Sequence, residues 1–225
     1  MKTRTRIAAG GALVSFAIAS SASANLLDFI ETFDTGAANW RNFDGSAELD
    51  WFPTGGPDGS AYASSVYNLT NFTGGFPPVV IRAQTNFNSS NSAYAGDWID
   101  AGVTGVSFDI RHNAPEAVAL TGRFATPANR GASTETAFQV QPGVWTTISI
   151  DLTEGSPDII SLGGLSYQAI FSNIGNIQLG FEPPANLAGQ NIDVRIDIDN
   201  FALVPAPGTA ALGLIAGLAA VRRRR

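Results

Sequence analysis

The sequence predicts an all-β protein, a two-sheet antiparallel β-sandwich, and three observations carry that expectation. Apolar and polar residues alternate with period two in short runs, the pattern of strands with one face in a core and one in water. No window between residues 25 and 204 sustains the three-to-four-residue apolar period of a helix. Turn formers break the chain often, with 24 glycines and 12 prolines in 225 residues.

Taken in order, the strand candidates are 26–33, 60–68, 79–87, 106–111, 118–124, 136–140, 148–152, 177–181 and 192–199. In the fourth, Val106, Phe108 and Ile110 face one way while Ser107, Asp109 and Arg111 face the other. The last is the clearest: Ile192, Val194, Ile196 and Ile198 point inward, and Asp193, Arg195, Asp197 and Asp199 point out. Short strands with Gly/Pro/Asn-rich connections suit a sandwich of about 180 residues, long enough to bury roughly 70% of the unfolded chain's surface. The polar stretch 86–92 reads as a flexible loop.

Charge is uneven along the chain. Residues 25–204 hold six arginines and no lysine against all 19 acids, a net charge of about −13. Such a surface repels phosphate backbones, which excludes sequence-independent nucleic-acid binding. Zero cysteines exclude disulfides, zinc fingers, iron–sulfur clusters and thiol catalysis.

The remaining basic residues sit at the two ends. Lys2, Arg4 and Arg6 precede an apolar run over 7–19, and Ala22-Ser23-Ala24 offers small residues for a signal peptidase. That order reads as a secretory signal over 1–24, cut between Ala24 and Asn25. At the other end the 13 residues of 209–221 are apolar and 222–225 are four arginines. Thirteen helical residues reach only about 20 Å, short of a hydrocarbon core of roughly 30 Å. A temporary membrane stop fits this segment better than a permanent span, although a short C-terminal anchor is the plain alternative.

Val204-Pro205-Ala206-Pro207, the apolar segment and the basic end together resemble the PEP-CTERM sorting signal of Gram-negative bacteria. Three of four positions match the usual Val-Pro-Glu-Pro core, with Ala206 in place of the glutamate. The resemblance implies a tail over 205–225, processed by an exosortase-like enzyme. It implies delivery to the cell surface or the extracellular polysaccharide matrix. It covers the tail alone and leaves the domain over 25–204 open.

A second resemblance concerns that domain. Glu31-Thr32-Phe33-Asp34, Asn39-Trp40 and the run 55–62 open like a carbohydrate-binding-module jelly roll of the galactose-binding-like kind. The run 197–203 closes like one. The resemblance implies a structural calcium where the first and last strands meet, held by Glu31, Asp199 and Asp58. The plain reading of the same residues is an Asp58-Gly59 turn with two solvated strand carboxylates. It also implies aromatic stacking platforms for sugar; Trp51, Tyr94 and Trp98, in polar loop-like surroundings, are the candidates. Trp40 and Trp145 suit core or strand-start positions.

Enzymatic signatures are weak. Glycoside hydrolysis needs two carboxylates about 5–9.5 Å apart across a cleft, and nineteen acids make chance pairs inevitable. No Gly-x-Ser-x-Gly elbow or phosphate-cradling loop occurs, and His112 is the only histidine. The expectation is a non-catalytic, exported module associated with extracellular polysaccharide. The alternatives are a small glycan-active enzyme using a carboxylate pair, or a purely structural surface component.

Overall fold

The computed structural model describes residues 26–206, apart from 73 and 136. Ala24, Asn25, Pro207 and the segments 209–221 and 222–225 lie outside the described residues. No helix among the described residues is long and apolar enough to cross a membrane.

The described residues form two six-stranded antiparallel sheets. Sheet A contains β1 (Ile30–Glu31), β2 (Asp50–Phe52), β3 (Tyr62–Asn68), β5 (Val103–His112), β9 (Thr146–Asp151) and β12 (Asp193–Pro205). Its order is β2-β3-β12-β5-β9, with β1 paired to the later part of β12. Sheet B contains β4 (Val79–Gln84), β6 (Val118–Ala125), β7 (Gly131–Thr134), β8 (Phe138–Val140), β10 (Ile159–Ser161) and β11 (Asn176–Glu182). Its order is β10-β7-β6-β11-β4, with β8 paired to β6. Two short α-helices, α1 (Trp98–Ala101) and α2 (Tyr167–Phe171), and four 3₁₀ turns accompany the sheets among the described residues. This is the expected jelly-roll sandwich.

The central strand β12 shows how sequence becomes geometry. Val194, Ile196 and Ile198 enter the core as their alternation requires. Between Asp199 and Ala202 the register against β5 shifts, so Asn200 and Phe201 together oppose Phe108. Asn200 sits at φ 53°, a left-handed conformation that asparagine tolerates. The bulge switches the parity of the strand, and beyond it Phe201 and Leu203 face inward instead. Phe201 then stacks on Phe108 at 5.6 Å and meets Trp40 edge-on at 5.4 Å. Trp40 in turn contacts Phe33 at 5.3 Å. Each such buried ring contributes about 1.5–3 kcal/mol through burial alone.

Several sequence expectations are corrected. Residues 26–33 do not form one strand: Leu26–Asp28 is a 3₁₀ turn and β1 has two residues. The run 79–87 ends as β4 at Gln84 and continues as the 3₁₀ turn Thr85–Phe87. Segment 86–92 is not an open loop. Asn88, Ser90, Asn91 and Ser92 take left-handed backbone, and Ser89 and Ser90 are buried. Finally, Asp197 and Asp199 do point out of the core, yet both are buried, because the outer face of sheet A is itself covered.

Candidate functional site

Two of the three proposed stacking rings are core residues. Tyr94 is fully buried, and its hydroxyl donates to the Gly175 carbonyl at 3.3 Å. Burial raises its pKa. Trp98 is buried and its indole N–H donates to the Tyr94 carbonyl at 2.7 Å. Asp97 caps α1 through the Ile99 and Asp100 amides, and that turn rolls Trp98 under the sheet end rather than into a loop. Trp51 is partly exposed, with its N–H donating to the Phe33 carbonyl at 2.6 Å. Trp145 immediately precedes β9 and donates to the Gly55 carbonyl at 3.0 Å.

The carboxylates suggested for calcium are not brought together. Glu31 lies opposite Phe201, past the bulge, and so shares its inward face. Its Oε1 accepts from the Phe33 amide at 2.9 Å and its Oε2 from the Ser90 hydroxyl at 2.7 Å. The Ser90 oxygen also accepts the Trp40 indole N–H at 2.7 Å, so Glu31 anchors the left-handed segment to the core. Asp199 precedes the bulge and points to the outer side of sheet A. It accepts from the Ser60 hydroxyl at 2.7 Å and the Asn200 amide at 2.8 Å. Asp58 is an exposed turn residue, closed by the Gly59 amide donating to the Gly56 carbonyl at 3.1 Å. Among the described residues no group of three or more His, Asp or Glu side chains is placed to hold a metal ion.

His112 is also structural. It is buried, its Nδ1 accepts the Ala114 amide at 3.2 Å, and its Nε2 therefore donates to the Val140 carbonyl at 2.9 Å. Burial lowers its pKa, so the neutral ring is favoured.

On the outer face of sheet A, Asp197 holds two arginines. Arg111 reaches it with Nε and Nη2, each at 2.8 Å, and Arg195 Nε lies 3.1 Å away without hydrogen-bond alignment. Arg111 sits over Trp145 and Tyr62, and Arg195 over Phe52. The loop between β2 and β3 folds onto this cluster, with Gly55 accepting from both Arg111 and Trp145.

Among the described residues the outer face of sheet B is left open, and it carries a groove of about 490 Å³. Its floor is Thr121, Arg123, Gln178 and Gly180; Phe76 and Pro77 form one wall, and Ile160 and Leu162 the other. Phe76 is 90% exposed. A single exposed ring means little, but this one borders a groove. Gly180 sets that wall, since a Cβ there would strike the Pro78 carbonyl oxygen. Arg123 is fixed from one end: Nη1 donates to Asn129 Oδ1 at 2.7 Å and Gln178 Oε1 at 3.0 Å, and Nη2 to the Asn129 carbonyl at 2.6 Å. Burial lowers the pKa of Arg123 and, as the largest cause, that of Arg82; a guanidinium stays protonated regardless.

Phe76, Arg123 and Gln178 are absent from the sequence-derived candidates. Alternation in 118–124 does send Thr121 and Arg123 outward, but one strand's pattern does not say which outer face remains uncovered.

No family model and no curated protein matches the chain. Solved structures do. An exo-β-agarase is similar with a TM-score of 0.50 at 12% identity, over 79% of this chain and 24% of its own. A module described as specific for non-crystalline cellulose, CBM28, gives 0.46 at 12% over 77% of this chain and 91% of that one. The CBM22-1 xylan-binding domain from Paenibacillus barcinonensis Xyn10C gives 0.43 at 12%, over 80% and 95%. The chain thus spans about a quarter of the agarase. At these identities the likeness concerns fold alone: a two-sheet antiparallel β-sandwich.

Proposed function

We propose that the chain is a non-catalytic carbohydrate-binding protein that holds a polysaccharide strand along the outer face of sheet B. The observation that carries this reading is the open groove with Phe76 exposed at its wall and polar side chains along its floor. A pyranose ring presents C–H bonds on one face and hydroxyls at its edges. An aromatic platform beside amide, hydroxyl and guanidinium groups suits both. Among the described residues the groove lining carries no Asp or Glu, which favours binding over glycoside hydrolysis. Asp109 and Asp199 do oppose each other across β5 and β12, but on the other sheet, with Asp199 fully buried.

Affinity electrophoresis through gels containing single polysaccharides tests this. Wild type is retarded by at least one polymer, and Phe76→Ala loses about tenfold in affinity, near the 0.5–1.5 kcal/mol of an aromatic contact. Its melting temperature stays unchanged, because the ring is exposed. Equal retardation of the two proteins would sink the groove reading.

The ends support export, with 1–24 as signal peptide and 205–225 as a PEP-CTERM-like tail read by an exosortase-like enzyme. The intact mass of protein recovered from the cell surface or medium checks it. A species running from Asn25 to near Pro205 is expected, whereas retention of 222–225 would make the tail an anchor.

A further inference from the structure

The groove floor narrows the chemistry of its ligand. Direct cross-strand neighbours share a face of a sheet, and the bridges of sheet B connect Arg41 to Arg82, Arg82 to Gln178, Gln178 to Arg123, Arg123 to Ser133 and Ser133 to Ile160. Three of the six arginines between residues 25 and 204 therefore stand in one row across the open face. Among the described residues the ion pairs within 4 Å are both made by Asp197 on the other sheet, so none neutralises this row. Acidic groups approach its far end: Glu48 bridges to Arg41, and the charge of Asp44 acts on Arg82. At Arg123 the neighbours are Gln178, Ser133 and Thr121, all neutral.

Arg123 also keeps the donors that recognise an oxyanion. Of its five N–H bonds, three go to Asn129 and Gln178. Those taken lie at the Nη1 side and the end of the group, which leaves Nε–H and one Nη2–H parallel along the remaining edge. Two parallel donors on a fixed guanidinium are the fork that grips a carboxylate or sulfate in bidentate fashion. The domain's overall charge of about −13 opposes approach of a polyanion. That field is screened beyond about 8 Å at physiological salt, so the groove's own cations govern contact.

Resting on the glycan-binding reading, we propose that the groove takes an acidic polysaccharide whose carboxylate or sulfate ester groups lie against the free edge of Arg123. The test uses the full-length chain in isothermal titration against matched polymers. These are polygalacturonate and its full methyl ester, a sulfated galactan and its desulfated form, and polyglutamate. At least one acidic glycan binds tenfold or more tighter than its neutral counterpart, and which pair shows the preference separates carboxylate from sulfate. Raising sodium chloride from 50 to 500 mM erases that preference in wild type, a readout that depends on no variant. Arg123→Gln loses the preference, and Arg123→Lys, keeping charge but not the fork, recovers only part of it. Equal binding of acidic and neutral forms, with Phe76→Ala still weakening both, overturns the acidic ligand and leaves glycan binding standing. Polyglutamate binding as tightly as the acidic glycans would mark a general anion site and overturn the inference. No binding to any glycan overturns both readings.

Discussion

The outer faces of the two sheets begin from the same alternation and end in opposite states. On sheet A, Arg111 and Arg195 converge on Asp197, aromatic rings cover them, and the loop carrying Gly55 closes over the cluster. On sheet B, Arg41, Arg82 and Arg123 line up with no carboxylate paired to them within 4 Å among the described residues, and the segment holding Phe76 and Pro77 stops at the rim. The difference lies in the connections and not in the strands. Strand alternation decides which side chains leave the core. Whether that second face becomes another buried layer or a binding surface depends on what the loops bring across it and whether a counter-charge is supplied.

Removing one charge from each face tests the contrast most strongly. Asp197 is 1% exposed, whereas the side chains of Arg111 and Arg195 are 21% and 40% exposed. Asp197→Ala strands two half-buried guanidiniums and the Ser64 hydroxyl that donates to Asp197 Oδ1 at 2.8 Å. Breaking a fully buried pair costs about 3–5 kcal/mol; water reaching the arginines reduces this to roughly 2–3 kcal/mol. Glycan binding is unchanged in the folded variant. Arg123→Gln shows the reverse, with stability within about 1.5 kcal/mol of wild type and the ligand preference lost. Denaturant midpoints at equal slope measure both. If Asp197→Ala cost less than Arg123→Gln, the two faces would not differ as described.

That contrast also marks how far the sequence was legible. The sandwich, and the inward faces of β5 and β12, follow from period two, because burying one side of a pleat imposes it. The bulge at Asn200 does not follow: the parity switch shows only as Phe201 and Leu203 replacing even positions, and nothing local demands it. β2, β7 and β10, each of three or four residues, are too short for a pattern to rise above chance. Tyr94 and Trp98 look loop-borne in sequence, but Asp97 starts a helical turn that buries Trp98, and Tyr94 packs against Phe29 with its hydroxyl on the Gly175 carbonyl. The groove was hidden for a different reason. Its parts, Phe76, Thr121, Arg123 and Gln178, come from β6, β11 and the chain before β4, and become neighbours through antiparallel pairing.

A smaller effect comes from the groove wall. Gly180 has no left-handed φ to defend, so only close approach requires it: its missing Cβ lets the Pro78 carbonyl lie against β11, and Thr121 Oγ1 would sit 3.1 Å from an added methyl. Gly180→Ala pushes the Phe76–Pro78 segment outward at a cost of about 1–3 kcal/mol for overpacking. Binding weakens along with stability. An alanine variant as stable as wild type, with unchanged affinity, would mean that this contact does not position Phe76.

The mildest change on the covered face carries the sharpest sign. Asp199 is fully buried, lies opposite Asp109, and has its pKa raised first by burial and further by the charges of Asp109 and Asp34. A carboxyl whose folded pKa is raised favours the fold while protonated. Its contribution is complete below the unfolded value near pH 4 and is lost as pH rises through the folded value. At neutral pH its charge therefore opposes folding. Asp199→Asn keeps the shape, still accepts the Asn200 amide, and can donate to the Ser60 oxygen. The variant melts above wild type at pH 7, and the gap narrows on acidification toward pH 4. A cation held there would invert the result. Wild type would then gain about 2.7 kcal/mol at a hundredfold excess of calcium over its dissociation constant, and Asp199→Asn would melt below it. Two melting curves, one with calcium and one with chelator, separate a carboxylate confined by a covering loop from one that serves as a ligand.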